Sequence, residues 1–174
     1  MGRHFLFCGL QISCIALFSR HFGPISPSMI DEWKEKMRRW CSLQERCTGD
    51  VRRKLQGQFD DESAVNGIVD SLVEEGFLSD ERFVTSYVRT HAEHKSWGPR
   101  KILHGLRIKG FSNAAAHAAV AAHSPASFQA SLGALVERRR AELPEKRDRV
   151  IRFLVSRGFA VNDILRAVEE AEGR

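Results

Sequence analysis

Gly76-Phe77-Leu78-Ser79-Asp80-Glu81-Arg82-Phe83, running on through Trp97-Gly98-Pro99-Arg100 to Lys109-Gly110-Phe111, decides how this chain folds. Ser79 or Asp80 suits a helix N-cap, and the Asp80-Glu81 pair complements the positive end of the helix that follows. Adjacent residues point in different directions on a helix, so these two carboxylates predict capping and not a catalytic dyad. Phe83, Tyr87 and His91 lie on one side of that helix, with Val84 and Val88 beside them. That pattern predicts core packing in preference to stacking on a nucleic-acid base. Gly98-Pro99 then opens a second helix, and Gly110 closes it in the left-handed conformation that glycine adopts without strain.

Working outward, the second helix has two echoes. Val51-Arg52-Arg53-Lys54-Leu55 matches Ile102-Leu103-His104-Gly105-Leu106, which matches Val150-Ile151-Arg152-Phe153-Leu154. In the later two copies a glycine and a phenylalanine follow the marker leucine, as Gly110-Phe111 and Gly158-Phe159. The first copy departs, with Gly57 and with Phe59 one position earlier in register. Each copy is preceded by a leading helix, over 29–47, 80–94 and 127–143. Each is followed by a third helix, over 64–75, 114–122 and 161–171. The inward positions of these elements include Val65, Ile68, Val69, Leu72 and Val73, then Val161, Ile164, Leu165 and Val168. The other prolines after residue 28, Pro125 and Pro144, also stand where helices begin. A helix pair this short cannot bury its apolar face alone, so stacking of neighbours is required. The predicted fold is all-α: an elongated, curved array of three tandem three-helix repeats over 29–76, 77–124 and 125–174.

Composition sets the outer limits. Of 174 residues, 43% are hydrophobic, enough for an ordinary core, and 28% are charged, too many for a membrane protein. The net charge of +5 favours an acidic partner without naming one. The four cysteines, Cys8, Cys14, Cys41 and Cys47, all lie in the first third of the chain, which does not resemble a disulfide framework. Cys41 and Cys47 are six apart with no CxxC and no intervening histidine, so they predict small buried side chains on a helix and no metal site.

Residues 1–28 stand apart. The stretch from Phe5 to Phe18 is apolar but too short for an ordinary transmembrane helix, and no clear cleavage site follows it. An upstream stretch joined by a misassigned start at Met29, a targeting peptide, and a loosely packed extension all fit. The first is preferred, because everything after Met29 reads as cytosolic.

The basic residues gather into stripes. Arg100, His104 and Arg107 share one face of the second helix, flanked by Lys101, while Ile102, Leu103 and Leu106 form its apolar face. No acid interrupts the cations from Lys95 to Lys109. In the third unit Arg149, Arg152 and Ser156 form a polar stripe opposite Val150, Ile151, Leu154 and Val155, downstream of Arg138-Arg139-Arg140. Such stripes are commonly solvated helix faces. Repetition in successive units raises a second possibility, a shared cationic channel for phosphates or for a protein filament. No glycine-rich phosphate loop, GxSxG or HExxH is present, and the seven histidines are scattered. The expectation is a protein that is not an enzyme and carries no cofactor or metal.

The central stretch, with Tyr87, Gly98-Pro99-Arg100-Lys101-Ile102, Leu106 and Lys109-Gly110, resembles the RecX family of recombination regulators. Cys41-Ser42-Leu43-Gln44-Glu45-Arg46-Cys47 with Val51-Arg52 and Lys54-Leu55 is similar to that family's first unit. The stretch from Arg152 to Phe159 is similar to its third. The resemblance covers about residues 32–172. It departs at Gly105, where the family usually has an acid, and at Val84, where it usually has alanine. Gly105 should weaken its helix by up to about 1 kcal/mol relative to alanine. What the resemblance implies is a monomeric cytoplasmic bacterial protein, free of the membrane, that lodges in the groove of the RecA–DNA filament. It implies inhibition of the recombinase and its ATPase, with single- or double-stranded DNA as a further partner, in homologous recombination and the SOS response. The contact residues expected from the face analysis are Arg100, Lys101, Arg107, Arg149, Arg152 and Arg157. The alternative is a direct DNA-binding protein whose three-helix modules act without RecA.

Overall fold

The protein was analysed as a computed structural model that describes residues 26–173. The expectations about the apolar N-terminal stretch, including Cys8 and Cys14, therefore lie outside the described residues. Among the described residues there are nine α-helices and no strand. They are α1 (Pro27–Leu43), α2 (Thr48–Gln56), α3 (Glu62–Glu74), α4 (Asp80–Arg89), α5 (Pro99–Ile108), α6 (Asn113–Ala122), α7 (Pro125–Glu137), α8 (Leu143–Ser156) and α9 (Val161–Glu172). A π-helical turn, Thr90–His94, extends α4, and a 3-10 turn, Arg140–Glu142, leads into α8. This is the all-α repeat array the sequence predicts.

Local chemistry explains the starts and stops. Ser79 accepts from the Arg82 amide and caps α4, and Ser112 does the same for α6 through the Ala115 amide. Pro27, Pro99, Pro125 and Pro144 each occupy the first or second helical position, where a missing N–H costs nothing. Gly110 and Gly158 stop α5 and α8 at φ +98° and +92°. In both stops the following phenylalanine amide bonds back to the marker leucine, Phe111 to Leu106 at 3.2 Å and Phe159 to Leu154 at 3.4 Å.

Three apolar clusters form, one per triplet of helices. The first gathers Met37, Leu55, Ile68 and Leu72, and the second Phe83, Val88, Ile102 and Leu106. The third gathers Leu132, Val150, Leu154, Ile164 and Val168. The marker leucines Leu55, Leu106 and Leu154 are fully buried, one at the heart of each cluster. Neighbouring triplets also share side chains: Cys47, from before α2, and Phe128, from α7, both enter the second cluster. Separate cores joined by such borrowed residues make the molecule an elongated stack instead of a ball around one centre.

Several details differ from expectation. Helix α1 starts at Pro27, two residues early, because Ser26 accepts from the Met29 amide. It ends at Leu43, and Cys47 is not on a helix but at the N-cap of α2. The leading helix expected over 127–143 breaks after Glu137, where the chain turns through Arg138 and Arg139. Val73, Val155 and Val161 were expected to face inward but are 47%, 43% and 42% exposed. At 100° per residue, Val73 lies about 80° round from Val65, at the margin of the buried stripe, and Val155 lies about 100° from Leu154. Val161 is the opening residue of α9.

Candidate functional site

The second helices of the three units meet end to end. At the seam between the second and third units, the Gly98 amide donates to the Arg157 carbonyl at 2.8 Å, and the Arg100 amide donates to the Gly158 carbonyl at 3.1 Å. The C-terminus of α8 thus satisfies amides at the N-terminus of α5, which neither helix can do internally. The approach is too close for side chains. A methyl group on Gly98 would lie 2.5 Å from the Gly158 carbonyl carbon and oxygen. The seam between the first and second units repeats the arrangement, since a methyl group on Gly49 in α2 would lie 2.5 Å from the carbonyl oxygen of Lys109, just past α5. The three helices therefore follow one another head to tail, α8 into α5 into α2, with their dipoles in the favourable sense.

The first seam is closed by charge. Lys109 Nζ donates to both oxygens of the buried Asp50 carboxylate, at 2.9 and 2.8 Å, and Arg53 donates to the same group at 3.0 Å. Burial by itself raises the Asp50 carboxyl, but the bond and charge of Lys109, helped by the Cys47 thiol and Arg53, outweigh it and hold the group below the ordinary carboxylate range. Burial pushes the Cys47 thiol up to about 11, so it stays protonated and able to donate. Ser79 caps α4 and Asp80 lies with Glu81 in its first turn, as expected. The two Asp80 oxygens also accept from the Thr48 amide and hydroxyl, both at 2.7 Å, so it caps α2 across the seam. Arg82 ties the same interface to Glu45 at 3.1 Å.

Between the seams runs an aromatic file. Phe111 stacks on Phe83 at 5.9 Å, Phe83 meets Tyr87 at 5.6 Å, Tyr87 stacks on His91 at 3.9 Å, and His91 meets Trp97 at 4.4 Å. Burial pushes His91 below its ordinary pKa, against the pull of the Tyr87 carbonyl it touches and in line with the nearby Lys95 and Lys109 charges. The ring is therefore a neutral member of the stack at pH 7. Gly105 faces this file. A methyl group there would collide with the Tyr87 hydroxyl, so Gly105 makes room for a tyrosine already held on both sides.

The six residues expected to contact a partner divide into two groups. Arg100, Arg107, Arg149 and Arg152 are exposed, and none makes a side-chain hydrogen bond or ion pair among the described residues. Lys101 and Arg157 are half-buried in the second seam, where Lys101 donates to the Ser156 carbonyl at 3.2 Å and Arg157 donates to the Lys95 carbonyl at 3.0 Å. The seam thus gathers Arg100, Lys101 and Arg157. Arg107 lies two turns further along α5, and Arg152 and Arg149 lie five and eight residues back along α8. Aligned on the marker leucines, Lys101 corresponds to Arg149, His104 to Arg152, and Lys109 to Arg157.

The first unit is different. Lys36, Arg38, Arg39 and Arg53 are paired with carboxylates, while Arg46 and Lys54 lie over the Trp40 ring at 4.3 and 4.4 Å. Four exposed arginines on α5 and α8 are uncommitted among the described residues, as are Arg89 on α4 and Arg138 after α7. Sequence reasoning missed the cross-seam partners of Asp50 and Asp80, Lys109 and Thr48, because each lies more than 30 residues away along the chain. The repeat offset carried the one available signal, since it aligns Asp50 with Lys101 across the two seams. Among the described residues no helix is long and apolar enough to cross a membrane, and no group of His, Cys, Asp and Glu is arranged to hold a metal ion.

This chain is similar to several known proteins. The model of the RecX second three-helix domain matches residues 79–120. The regulatory protein RecX of Ralstonia nicotianae is 29% identical over 136 residues, covering 76% of this chain and 84% of that protein. The regulatory protein RecX of Streptococcus uberis is 26% identical over 133 residues, covering 74% of this chain but only 51% of that protein, so the chain spans about half the length of that relative. Two solved structures share the fold at 21% identity. The crystal structure of RecX from Lactobacillus salivarius gives a TM-score of 0.73, covering 83% of this chain and 97% of that one. A crystal structure of regulatory protein RecX gives 0.68, covering 81% and 71%.

Proposed function

We propose that the chain is a regulatory protein of the RecX family that binds the RecA–DNA filament as a monomer in the cytoplasm and inhibits strand exchange and ATP hydrolysis. The observation that carries this is the set of exposed, unpaired arginines on α5 and α8, Arg100, Arg107, Arg149 and Arg152, on a stack of three helical triplets. Arginine left without an internal partner keeps its five donors free for carboxylate or phosphate. An elongated stack suits a helical groove better than a single-site pocket. The protein acts by occupying surface, as a regulator and not as an enzyme, with no cofactor.

The test is RecA-catalysed strand exchange and DNA-dependent ATPase with the full chain. Inhibition well below one molecule per RecA is expected, together with much tighter binding to the filament than to naked DNA. The double variant Arg100→Glu/Arg107→Glu should lose at least tenfold in inhibitory potency while melting within a few degrees of the parent. No effect of the wild-type chain on the filament removes this function. Equal binding to naked duplex without RecA, with a steep salt dependence, would favour a direct DNA-binding protein.

A further inference from the structure

The two seams are built on one plan but with opposite charge. Aligned through the marker leucines, the position of Asp50 in α2 is held by Lys101 in α5, and the position of Lys109 is held by Arg157. In the first seam the cation meets a carboxylate, Lys109 Nζ lying 2.8 Å from Asp50. In the second seam both positions are cationic. Lys101 falls back on the Ser156 carbonyl and Arg157 on the Lys95 carbonyl. The Lys95 and Lys101 ammonium groups also share the Trp97 ring, at 5.6 and 4.7 Å from its centre. Lys95, Lys101 and Arg157 thus gather at the seam, the exposed Arg100 joins it through its backbone amide, and none of the four has a carboxylate partner among the described residues. Carbonyls satisfy hydrogen-bond donors but do not offset like charge held at close quarters.

We propose that the seam between the second and third units is a binding site for a phosphodiester group of a nucleic-acid strand. The phosphate takes the place that the Asp50 carboxylate holds in the first seam. Lys101 and Arg157 turn from the two carbonyls to its oxygens, and Arg100 offers its guanidinium fork from the open side. The backbone amides of α5 are not part of the site, because α8 carbonyls already occupy those of Gly98 and Arg100. A strand fits better than a lone anion because unpaired arginines continue beyond the seam in both directions, Arg107 along α5 and Arg152 along α8. Successive phosphates of one backbone would meet successive cations, with no base read. The assignment rests on the filament function for the source of the strand, and on the seam itself for its chemistry.

The experiment is fluorescence anisotropy of a labelled oligothymidylate with the full chain at low salt, beside thermal melting. Lys101→Asp recreates the charge arrangement of the first seam. It should hold or raise the melting temperature while weakening oligonucleotide binding at least tenfold. The slope of log affinity against log salt should fall by about 0.7 for each single-strand phosphate that is no longer neutralised. Inorganic phosphate should compete with the oligonucleotide for the wild-type chain, and polyglutamate should compete far less well. Affinity within twofold of wild type in a folded Lys101→Asp variant overturns the assignment. So does polyglutamate competing as well as the oligonucleotide, which would make the seam a reader of acidic protein surface. If Lys101→Asp does not fold, Lys101→Gln and Arg100→Gln, which add no charge, carry the same comparison, with a severalfold loss expected from each. A wild-type chain that binds the oligonucleotide through this seam but leaves RecA strand exchange untouched would remove the filament function and leave the phosphate site standing.

Discussion

Replacing Gly98 by alanine tests the architecture at its narrowest point. The added methyl would lie 2.5 Å from two backbone atoms of Gly158, which cannot turn aside as a side-chain tip would. Restoring an ordinary separation near 3.4 Å requires the second and third units to move apart by about 0.9 Å. A movement of that size along the bonds stretches Gly98 N to Arg157 O from 2.8 Å to about 3.7 Å, and Arg100 N to Gly158 O from 3.1 Å to about 4 Å. Both then lie outside hydrogen-bonding range. Each bond contributes about 0.5–1.5 kcal/mol net, and an amide left buried without a partner costs about 1–3 kcal/mol. Since Gly98 is buried, the expected loss is about 2–4 kcal/mol, or roughly 5–15 °C in Tm for a chain of this size. Urea unfolding followed by circular dichroism would measure it. The control is Gly67→Ala in α3, where nothing lies within 4 Å. That change should stabilise the protein by up to about 1 kcal/mol through helix propensity alone. A Gly98→Ala variant within about 0.5 kcal/mol of wild type would refute the head-to-tail seam, because a substitution away from special structural features has an effect of that size.

Three further outcomes are expected. Gly105→Ala should destabilise the protein by about 1 kcal/mol despite better helix propensity, because the methyl meets the Tyr87 hydroxyl, whereas Tyr87→Phe should be nearly neutral. In the double variant the nearest ring atom is Cζ, at 3.2 Å, so part of the loss should return, and a double-mutant cycle in urea that shows no coupling would sink this account of Gly105. Asp50 is held below the ordinary carboxylate range, so its contribution is present above the unfolded-state pKa near 4 and is lost as pH falls through the lower folded value. Asp50→Asn should lower stability at neutral pH and flatten the acid limb of the stability profile, and an unchanged limb in urea titrations from pH 6 downward would remove Asp50 as its source. Asp80→Ala should lower Tm by a few degrees through loss of the α2 cap, an effect of about 1 kcal/mol, and Asp80→Asn should recover most of it because an amide oxygen still accepts from Thr48.

The helices and their repetition were legible because they depend on local signals. Ser79 before Asp80-Glu81, Pro99 behind Gly98, and Gly110 and Gly158 after their marker leucines mark boundaries without reference to anything distant. The buried leucines follow from a period of 3.6 residues, which is also local. The errors at Val73 and Val155 have a simple origin. Periodicity says which side of a helix is apolar, but the arc that is covered depends on how many neighbours arrive.

The chain alone therefore determined an all-α stack of three repeated helical triplets and the abundance of cations on its second helices. Only tertiary structure decided which cations are free. Lys109 and Arg157 occupy equivalent positions, and nothing nearby in sequence distinguishes them. Lys109 is committed to Asp50, 59 residues away, whereas Arg157 meets a carbonyl 62 residues away and no acid. The same holds for Asp80, a helix-starting carboxylate by local pattern that spends both oxygens on Thr48 in a different helix. Hydrogen bonds and ion pairs act over about 3 Å in space, and the distance along the chain between partners has no bearing on their strength.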